Sequence, residues 1–315
     1  MGDVLHNMPI VADIVRHFPD AQIDWVVEEA FVDLVRLNPG VRKIIPFALR
    51  RWRKKLFSKA VRDEMAAFKK MLQAETYDVI LDTQGLTKTG VIMGLAHGSA
   101  KVGLANGTEG SGYEPVSRIF HTFSVPVGIH THAVLRGRLV AARALGYSEN
   151  LEQTVPDFGL IAPASAGYDW LPETDFAVFF HGTAGAAKKW PAHDWITLGK
   201  HLHRCGYPVL LAWGNSNEHL EAEQLAAHIP LATVLPKLSM MEAIVLAHRA
   251  RLAVGVDTGL THIAAAFGTP TVEIYAASPR WKTEGNWSDR IINLGDQGSP
   301  PDVEQVIAAV DQLIQ

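Results

Sequence analysis

One stretch near the carboxyl end constrains the fold most, and it reads LAVGVDTGLTHIAAAFGTP from Leu252 to Pro270. Its first five residues are apolar and rich in valine, which is typical of a strand buried in a parallel sheet. A short polar turn, DTG, follows, and apolar residues then return at helical spacing until a closing Gly-Thr-Pro. The stretch therefore predicts a strand, a tight turn and a helix, the repeating unit of an α/β protein.

The turn in this stretch is a candidate anion site. It would place backbone N–H groups and the positive end of a helix beside Thr258, Gly259 and His262. Helix starts of this kind bind anions, phosphate above all. An ordinary strand–helix turn capped by Asp or Thr is the alternative. The crowding of Asp257, Thr258, Thr261 and His262 into one turn favours a ligand site.

Length and composition limit the class of protein. A chain of 315 residues, 48% hydrophobic and 20% charged, fits a soluble globular protein with room for two domains. The net charge of −4 gives no indication of nucleic-acid binding, so any basic site must be local. The single cysteine, Cys205, excludes a disulfide framework and favours a reducing compartment. No run of transmembrane length and no signal peptide is evident, so we expect a cytosolic protein.

Strand and helix patterns alternate in two runs along the chain. Two such runs imply two Rossmann-like parallel sheets facing each other across a cleft. We expect the first domain at residues 1–155, the second at 156–300, and a closing helix at 301–315 that packs back toward the first domain. Residues 103–128 are rich in Gly, Ser and Pro and are predicted as loop. Residues 146–172 have the composition of an interdomain linker.

The amino end opens directly on a helical pattern, whereas an α/β domain normally begins with a strand. Gly2 and Asp3 are therefore expected to form the turn after a first strand that is missing from the chain. In a doubly wound sheet that strand is central, so we expect that restoring it would raise soluble yield and thermal stability.

Two further polar loops follow predicted strands. The first, HGTAGAAKKWP from His181, has small residues that let backbone approach a ligand and lysines that can neutralise phosphate. It lacks the spacing of a Walker A loop, and a solvated loop is the alternative. The second, WGNSNE, ends in Glu218, whose carboxylate could accept hydrogen bonds from ribose hydroxyls or complete a helix N-cap.

A basic segment interrupts the first run of strands and helices. It reads ALRRWRKKLFSK and includes Arg50, Arg51, Arg53 and Lys54. Three interpretations are open, namely a solvated helix face, a membrane-surface patch and a phosphate clamp. Arginine pairs favour the last of these, since they can bind phosphate in a bidentate manner.

Together these segments resemble a known family over essentially the whole chain. MGDVLHNMP, DWVVEEAF, ALRRWRK, DTQGL, HGTAGAAKKWP, WGNSNE and GVDTGLTHIAAAFGTP look like the lipopolysaccharide heptosyltransferases of glycosyltransferase family 9. DWVVEE and RRWRK favour the type I over the type II branch. The resemblance implies the GT-B architecture, with the acceptor site in the amino half and the nucleotide-sugar site in the carboxyl half. It implies no cofactor and no obligatory metal.

The resemblance also implies roles for individual residues. Asp3 would be the general base and Lys188 would stabilise the departing diphosphate. The remaining donor-site residues would be Thr183 at the diphosphate, Glu218 at the ribose, and Asp257, Thr258, Gly259 and His262 along the pocket. Arg50, Arg51, Arg53 and Lys54 would receive the phosphates and carboxylates of the acceptor. Two runs depart from the family pattern, AGAA after Thr183 and YAASP from Tyr275.

The implied reaction is transfer of L-glycero-D-manno-heptose from ADP-heptose onto Kdo of Kdo2-lipid A, with inversion. The implied location is the cytoplasmic face of the inner membrane, with peripheral association. A type II enzyme with another core acceptor, a GT-B sugar-nucleotide epimerase and a nucleotide-binding protein without catalysis are the alternatives. Transfer requires donor and acceptor, whereas an epimerase turns over the donor alone and a regulator releases no ADP.

Overall fold

The computed structural model describes residues 1–55, 57–165, 167–183 and 185–315. Leu56 of the basic segment, Ala166 of the expected linker and Ala184 of the AGAA run lie outside the described residues. The chain divides into two compact units. The amino-terminal unit is His6–Gly159, and the carboxyl-terminal unit is Leu160–Gln315 together with Met1–Leu5.

Among the described residues, the amino-terminal unit holds five strands in two parallel sheets. The strands are β1 (Ile23–Glu28), β2 (Val41–Phe47), β3 (Thr76–Asp82), β4 (His97–Leu104) and β5 (Phe123–Val125). β1 pairs with β2, and β3, β4 and β5 form the second sheet. In the part of the chain that the structure describes, no hydrogen-bonded ladder joins β1 to β3. The expectation of a first strand before Met1 stays a prediction.

The helices near the start of the chain are short, and the longer ones cover the sheets. They are α1 (Gly2–His6), α2 (Pro9–His17), α3 (Val32–Arg36), α4 (Leu49–Trp52), α5 (Lys59–Leu72), α6 (Thr87–Leu95) and α7 (Ala133–Leu145). Ile10 and Ile14 of α2 pack against Ala141 of α7. Helix α7 packs in turn on β3, β4 and β5 through Val140, and α5 packs on β2 through Phe68.

The carboxyl-terminal unit is built on one six-stranded parallel sheet of order β11-β10-β9-β6-β7-β8. Its strands are β6 (Ala177–Phe180), β7 (Val209–Leu211), β8 (Thr233–Val234), β9 (Leu252–Val256), β10 (Thr271–Tyr275) and β11 (Ile291–Gly295). Its helices are α8 (Ala192–Arg204), α9 (Ser216–Ala226), α10 (Met240–Arg249), α11 (Gly259–Ala266) and α12 (Val303–Ile314).

Strand β9 shows why helices cover both faces of this sheet. Successive side chains of a strand point to opposite faces. Leu252, Val254 and Val256 are fully buried in the core that α8 and α12 share. Gly255 faces the other side, where a Cβ atom would lie 2.1 Å from Oγ1 of Thr261 on α11. A glycine is therefore required where α11 approaches the strand. On the opposite face, α12 is part of the carboxyl-terminal core.

The α/β class and the parallel sheets are confirmed, and the sequence analysis erred mainly in the first unit. The loop predicted at 103–128 is wrong at the end of β4, at β5 and at a 3-10 helix, Pro115–Phe120. His97–Leu104 reads HGSAKVGL, a strand with few apolar residues, so its sequence gives little strand signal. Helix α6 and strand β11 were not predicted.

Secondary-structure boundaries follow ordinary capping chemistry. Helix α5 begins after Ser58, whose side chain accepts a hydrogen bond from the backbone N–H of Val61. Helices α10 and α12 begin with capping boxes, Ser239 with Glu242 and Asp302 with Gln305. None of the helices in the described residues is both long enough and apolar enough to span a membrane.

A buried ion pair joins α2 to α7. The guanidinium of Arg138 donates to both carboxylate oxygens of Asp13, at 2.7 and 3.0 Å, and to the backbone carbonyls of Leu151 and Thr154. Arg138 is 1% exposed and Asp13 is fully buried. The pair therefore ties both helices to the segment at 151–154.

We expect Arg138→Met to lower the free energy of unfolding by about 3–5 kcal/mol, because it removes the bidentate partner of the buried Asp13 carboxylate and leaves only the Arg16 guanidinium, at 3.5 Å, beside it. The double variant Asp13→Leu/Arg138→Met should recover most of this loss. Urea unfolding followed by circular dichroism measures both. Arg143→Met, at an exposed position of the same helix, is the control and should change stability by less than about 0.5 kcal/mol. A single variant no less stable than this control would contradict the role of the pair.

Candidate active site

The candidate site lies at the carboxyl edge of the six-stranded sheet. The loops that follow β6, β7, β9 and β10 meet there, because parallel strands end at the same edge and these four are neighbours in the order β10-β9-β6-β7. All of the residues predicted for the donor site lie on the loops after β6 and β9 or in the first turn of α9 or α11. The fold therefore gathers them in one unit.

The turn between β9 and α11 has the predicted form. Thr258 is the N-cap of α11 and has extended backbone angles, φ −146° and ψ 157°. The Thr261 hydroxyl donates to the carbonyl of Val256 at 2.8 Å, so it fixes the angle between strand and helix. A Cβ atom on Gly259 would lie 2.8 Å from the side chain of Met1, so Met1 packs on the first residue of the helix.

Asp257 is the centre of the polar contacts in this turn. Its Oδ2 accepts from Nζ of Lys188 at 2.6 Å and from the hydroxyl of Ser278 at 2.7 Å. Its Oδ1 accepts from the ring Nε2 of His262 at 3.1 Å and from the hydroxyl of Thr283 at 3.4 Å. The Asp257 side chain is 11% exposed, whereas that of Lys188 is 37% exposed. The loop after β6 and the turn after β9 are thus joined by an ion pair.

His262 lies between two carboxylates. Its Nε2 contacts Asp257, and its Nδ1 contacts Oε1 of Glu273 at 2.8 Å. Oε2 of Glu273 in turn accepts from the Tyr275 hydroxyl at 2.8 Å and from the backbone N–H of Gly285 at 3.0 Å. Glu273 and Tyr275 are fully buried, and His262 is 2% exposed. Both ring nitrogens face carboxylate oxygens, so both must carry a proton to donate.

The pKa values of this cluster follow from its geometry. Burial alone would lower the pKa of His262, but the charge of Glu273 and hydrogen bonds to Asp257 and Glu273 outweigh burial and raise it to about 10. Burial acts in the opposite sense on Asp257, yet the contacts with His262, Lys188 and Ser278 hold its pKa well below the usual range. Burial raises the pKa of Tyr275 well above its ordinary value. His262 is therefore protonated and Asp257 ionised at neutral pH.

The predicted ribose carboxylate, Glu218, lies beside the loop after β6. Its Oε2 accepts from the backbone N–H of Gly214 at 2.7 Å, and a Cβ on Gly182 would lie 2.7 Å from its carboxyl carbon. The N-cap of α9 is Asn215, whose side chain accepts from two backbone N–H groups of the first turn. Glu218 is thus not required as the cap, and its carboxylate is held at the sheet edge.

Thr183 and Lys188 belong to the loop that follows β6. Thr183 is half-buried. Lys188 ends a short 3-10 helix, Ala186–Lys188, and the next residue, Lys189, pairs with Glu221. Trp190 is 3% exposed and donates from its indole nitrogen to the carbonyl of Pro301 at 3.0 Å. This anchor holds the end of the loop on the core.

Asp3 lies on α1 and is exposed. Its Cα lies within about 7 Å of the Cα of Met1, since only two residue steps separate them. The Met1 side chain in turn contacts Gly259. Asp3 thus belongs to the same compact unit as the turn after β9. Its assignment as a base stays a prediction.

The basic segment belongs to the amino-terminal unit and is exposed at Arg50, Arg51, Arg53 and Lys54. Arg51 is held by two glutamates, with nitrogen–oxygen distances of 3.0 Å to both Glu29 and Glu64. These hydrogen bonds raise the pKa of Arg51 above its ordinary value. The Arg50 guanidinium lies 5.7 Å from the ring centroid of Phe31. Arg51 therefore has a structural pairing that the sequence analysis did not anticipate.

A possible metal-ligand group lies elsewhere in the carboxyl-terminal unit. Among the described residues, His201, Cys205 and Asp311 offer ligand atoms that all lie within 4.8 Å of one another. His201 and Cys205 are at the end of α8, which leads into the amino end of β7. The group is thus at the opposite edge of the sheet from the predicted donor site.

Glu273, Tyr275 and Ser278 are among the residues of the site that were missed from the sequence. Glu273 interrupts the apolar strand TVEIY, and a buried glutamate in such a strand was the available signal. Ser278 lies in the YAASP run that departs from the family pattern. All three come from β10 or the loop after it, and sheet pairing brings them beside β9.

We expect the His262 ring to stay doubly protonated through neutral pH and to titrate near its raised pKa of about 10. Because this pKa exceeds the ordinary value of 6.5, the stability it contributes is complete below pH 6.5 and is lost as pH rises through 10. Nitrogen-15 NMR of the 14 histidines, with His262→Gln to assign the signal, measures the titration. The His262→Gln variant should lack this part of the alkaline loss of stability. A ring that titrates near pH 6.5 would contradict the arrangement.

The chain is similar to known proteins in sequence and in structure. The model of glycosyltransferase family 9 (heptosyltransferase) matches residues 65–308. Lipopolysaccharide heptosyltransferase 1 of Pseudomonas aeruginosa is 38% identical over 275 residues, which is 87% of this chain and 76% of that protein.

Two solved structures of the Escherichia coli heptosyltransferase WaaC are also similar. The complex with ADP has a TM-score of 0.84 at 34% identity and covers 100% of this chain and 96% of that one. The complex with ADP-2-deoxy-2-fluoro heptose has a TM-score of 0.79 at 33% identity with the same coverage. The family-model match and the 38% identity over 87% of the chain show the family. The chain belongs to glycosyltransferase family 9, the heptosyltransferase family.

Proposed function

We propose that this protein is an inverting heptosyltransferase of type I. It would move L-glycero-D-manno-heptose from ADP-heptose onto Kdo of Kdo2-lipid A in lipopolysaccharide inner-core biosynthesis. The observation that carries the proposal is the Lys188–Asp257–His262 cluster at the start of α11, in a chain similar to heptosyltransferases that bind ADP and an ADP-heptose analogue.

The donor site we assign matches the charge of a nucleoside diphosphate. The diphosphate would meet the N–H groups at the start of α11, the hydroxyl of Thr183 and the ammonium of Lys188. Glu218 would accept hydrogen bonds from the ribose hydroxyls. Asp257 and His262 would shape the wall of the pocket through their mutual contact.

The chemistry we assign needs one base and a stabilised leaving group. Asp3 would take the proton from the acceptor hydroxyl as its oxygen attacks the anomeric carbon. The bond from that carbon to the diphosphate oxygen breaks, and ADP leaves with the electron pair. Lys188 and the helix N–H groups stabilise the negative charge that develops on the diphosphate. No metal is required for these steps.

The acceptor site we assign lies in the amino-terminal unit. Arg50, Arg53 and Lys54 would bind the phosphates and carboxylates of the lipid acceptor, and Arg51 would hold the segment through its glutamates. Anionic lipid is attracted to exposed Arg and Lys. We accordingly propose that the protein works at the cytoplasmic face of the inner membrane without spanning it.

A coupled assay of ADP release tests the function. Release should require both ADP-heptose and Kdo2-lipid A, and mass spectrometry should show one added heptose on the acceptor. Release with a core acceptor that already carries heptose would favour the type II branch. Turnover of donor alone would favour an epimerase, and no release with any acceptor would leave the protein without the proposed activity.

Asp3→Asn keeps the shape of the side chain and removes the proton acceptor, so turnover should fall by about 10²–10⁴. Donor affinity, measured by calorimetry with ADP, should barely change, because the ADP contacts that we assign do not include Asp3. Asp33→Asn, at a half-buried aspartate that pairs with Arg36 in the other unit, serves as the control. Near-normal turnover of Asp3→Asn in a chemistry-limited assay would exclude Asp3 as the base.

Replacing Arg50 and Arg53 together by Ala should raise the KM for the phosphorylated acceptor and leave ADP affinity intact, since the two sites are assigned to different units. The acceptor KM of the unaltered protein should also rise with added salt, because exposed charges are screened. Arg143→Ala removes an exposed arginine outside the basic segment and is the matched control. A loss confined to donor affinity would show that the acceptor assignment is wrong.

A further inference from the structure

The amino-terminal unit contains an apolar groove beside the basic segment. Its volume is about 770 Å³, and it lies between β2, α4, α5 and α6. Its lining includes Phe47, Trp52, Arg53, Met65, Phe68 and Val91. Arg53 therefore belongs both to this groove and to the predicted acceptor-binding segment.

The wall of the groove contains buried aromatic residues and exposed aliphatic ones. Phe47, Trp52 and Phe68 are between 6 and 8% exposed, and the last two contact each other with ring centroids 5.9 Å apart. The indole nitrogen of Trp52 donates to Glu64 at 2.7 Å, so that polar group is satisfied. Met65 and Val91 are 40 and 42% exposed although they are apolar. An apolar ligand would remove this surface from water.

The polar lining residues of the groove are mainly cationic. Three cationic side chains, Arg53, Lys69 and Lys88, line the groove together with one carboxylate, that of Glu114. That carboxylate accepts from both the backbone N–H and the hydroxyl of Thr87, which together lower its pKa. A ligand with an apolar chain and an anionic head therefore matches the groove in both parts.

We propose that the groove binds one fatty acyl chain of the lipid acceptor while the basic segment binds its anionic head. The proposal rests on the proposed function, which makes the acceptor an acylated, phosphorylated sugar. It explains why exposed apolar residues of α5 and α6 adjoin Arg53. It also predicts that the affinity for the acceptor increases with the length of its acyl chain as well as with its negative charge.

A chain-length series on the unaltered protein tests the groove without using activity. Calorimetry with inorganic phosphate and with butyl, octyl and dodecyl phosphate, each below its micelle concentration, gives the dependence of Kd on chain length. We expect one site, with affinity rising by up to about fourfold per methylene until the groove is filled. Affinity independent of chain length would overturn the proposal.

Two single variants test the location of the chain. Met65→Gln and Val91→Gln place a polar helix-forming residue on the groove and should flatten the dependence on chain length. Met71→Gln is the matched control, since Met71 is on the same helix as Met65, is 38% exposed and does not line the groove. Equal flattening in all three variants, or in none, would contradict the proposed site.

Heptose transfer separates this proposal from the proposed function. Acylated acceptor should have a lower KM than its fully deacylated form, and the groove variants should reduce that ratio with kcat on deacylated acceptor unchanged. Transfer to both acceptors with equal KM would overturn the groove proposal alone, whereas no transfer to either would overturn the function. Groove variants that lose binding to phosphatidylglycerol vesicles but keep the KM ratio would assign the groove to the membrane surface and overturn the proposal.

Discussion

The carboxyl-terminal unit depends on a buried imidazolium held between two carboxylates. His262 on α11 contacts Asp257 at the end of β9 and Glu273 within β10, and the three side chains are largely or fully excluded from water. A buried charge is tolerated when it is paired and its remaining polar atoms are satisfied. Loss of one member would leave the others uncompensated. The contact thus fixes the turn, the start of α11 and the neighbouring strand relative to one another.

The contact between His262 and Asp257 also keeps Asp257 ionised at the edge of the sheet. Because His262 stays protonated, Asp257 stays ionised and can hold the Lys188 ammonium at the sheet edge. Tyr275 and Gly285 donate to the second oxygen of Glu273, so both oxygens of this buried carboxylate accept hydrogen bonds. A chain of charged contacts therefore runs from Glu273 in the core of the sheet, through His262 and Asp257, to Lys188 at the sheet edge. A neutral residue at any of these positions would change the charge at the proposed diphosphate site.

Much of the fold and part of this network could be predicted from the sequence. The stretch from Leu252 carries its strand, turn and helix in local patterns, and these are present as expected. The partners of Asp257 could not be predicted, because Lys188 is 69 residues away and Ser278 is 21 residues away. Sheet order brings them together, and local periodicity contains no information about sheet order. Strand β4 was missed for a different reason, since only Ala100, Val102 and Leu104 of its eight residues are apolar and its two glycines weaken the strand signal.

The Lys188–Asp257 pair has a consequence for anion binding. A diphosphate that reaches Lys188 must compete with a carboxylate that already contacts it, so binding exchanges one anionic partner for another. Asp257 keeps the hydrogen bonds from His262 and Ser278 when the ammonium moves, so it does not become an unpaired buried charge. The 37% exposure of the Lys188 side chain leaves it room to move, whereas its carboxylate partner is fixed in the turn. Asp257 thus holds the Lys188 ammonium at the start of α11 through a carboxylate that His262, Ser278 and Thr283 fix in place.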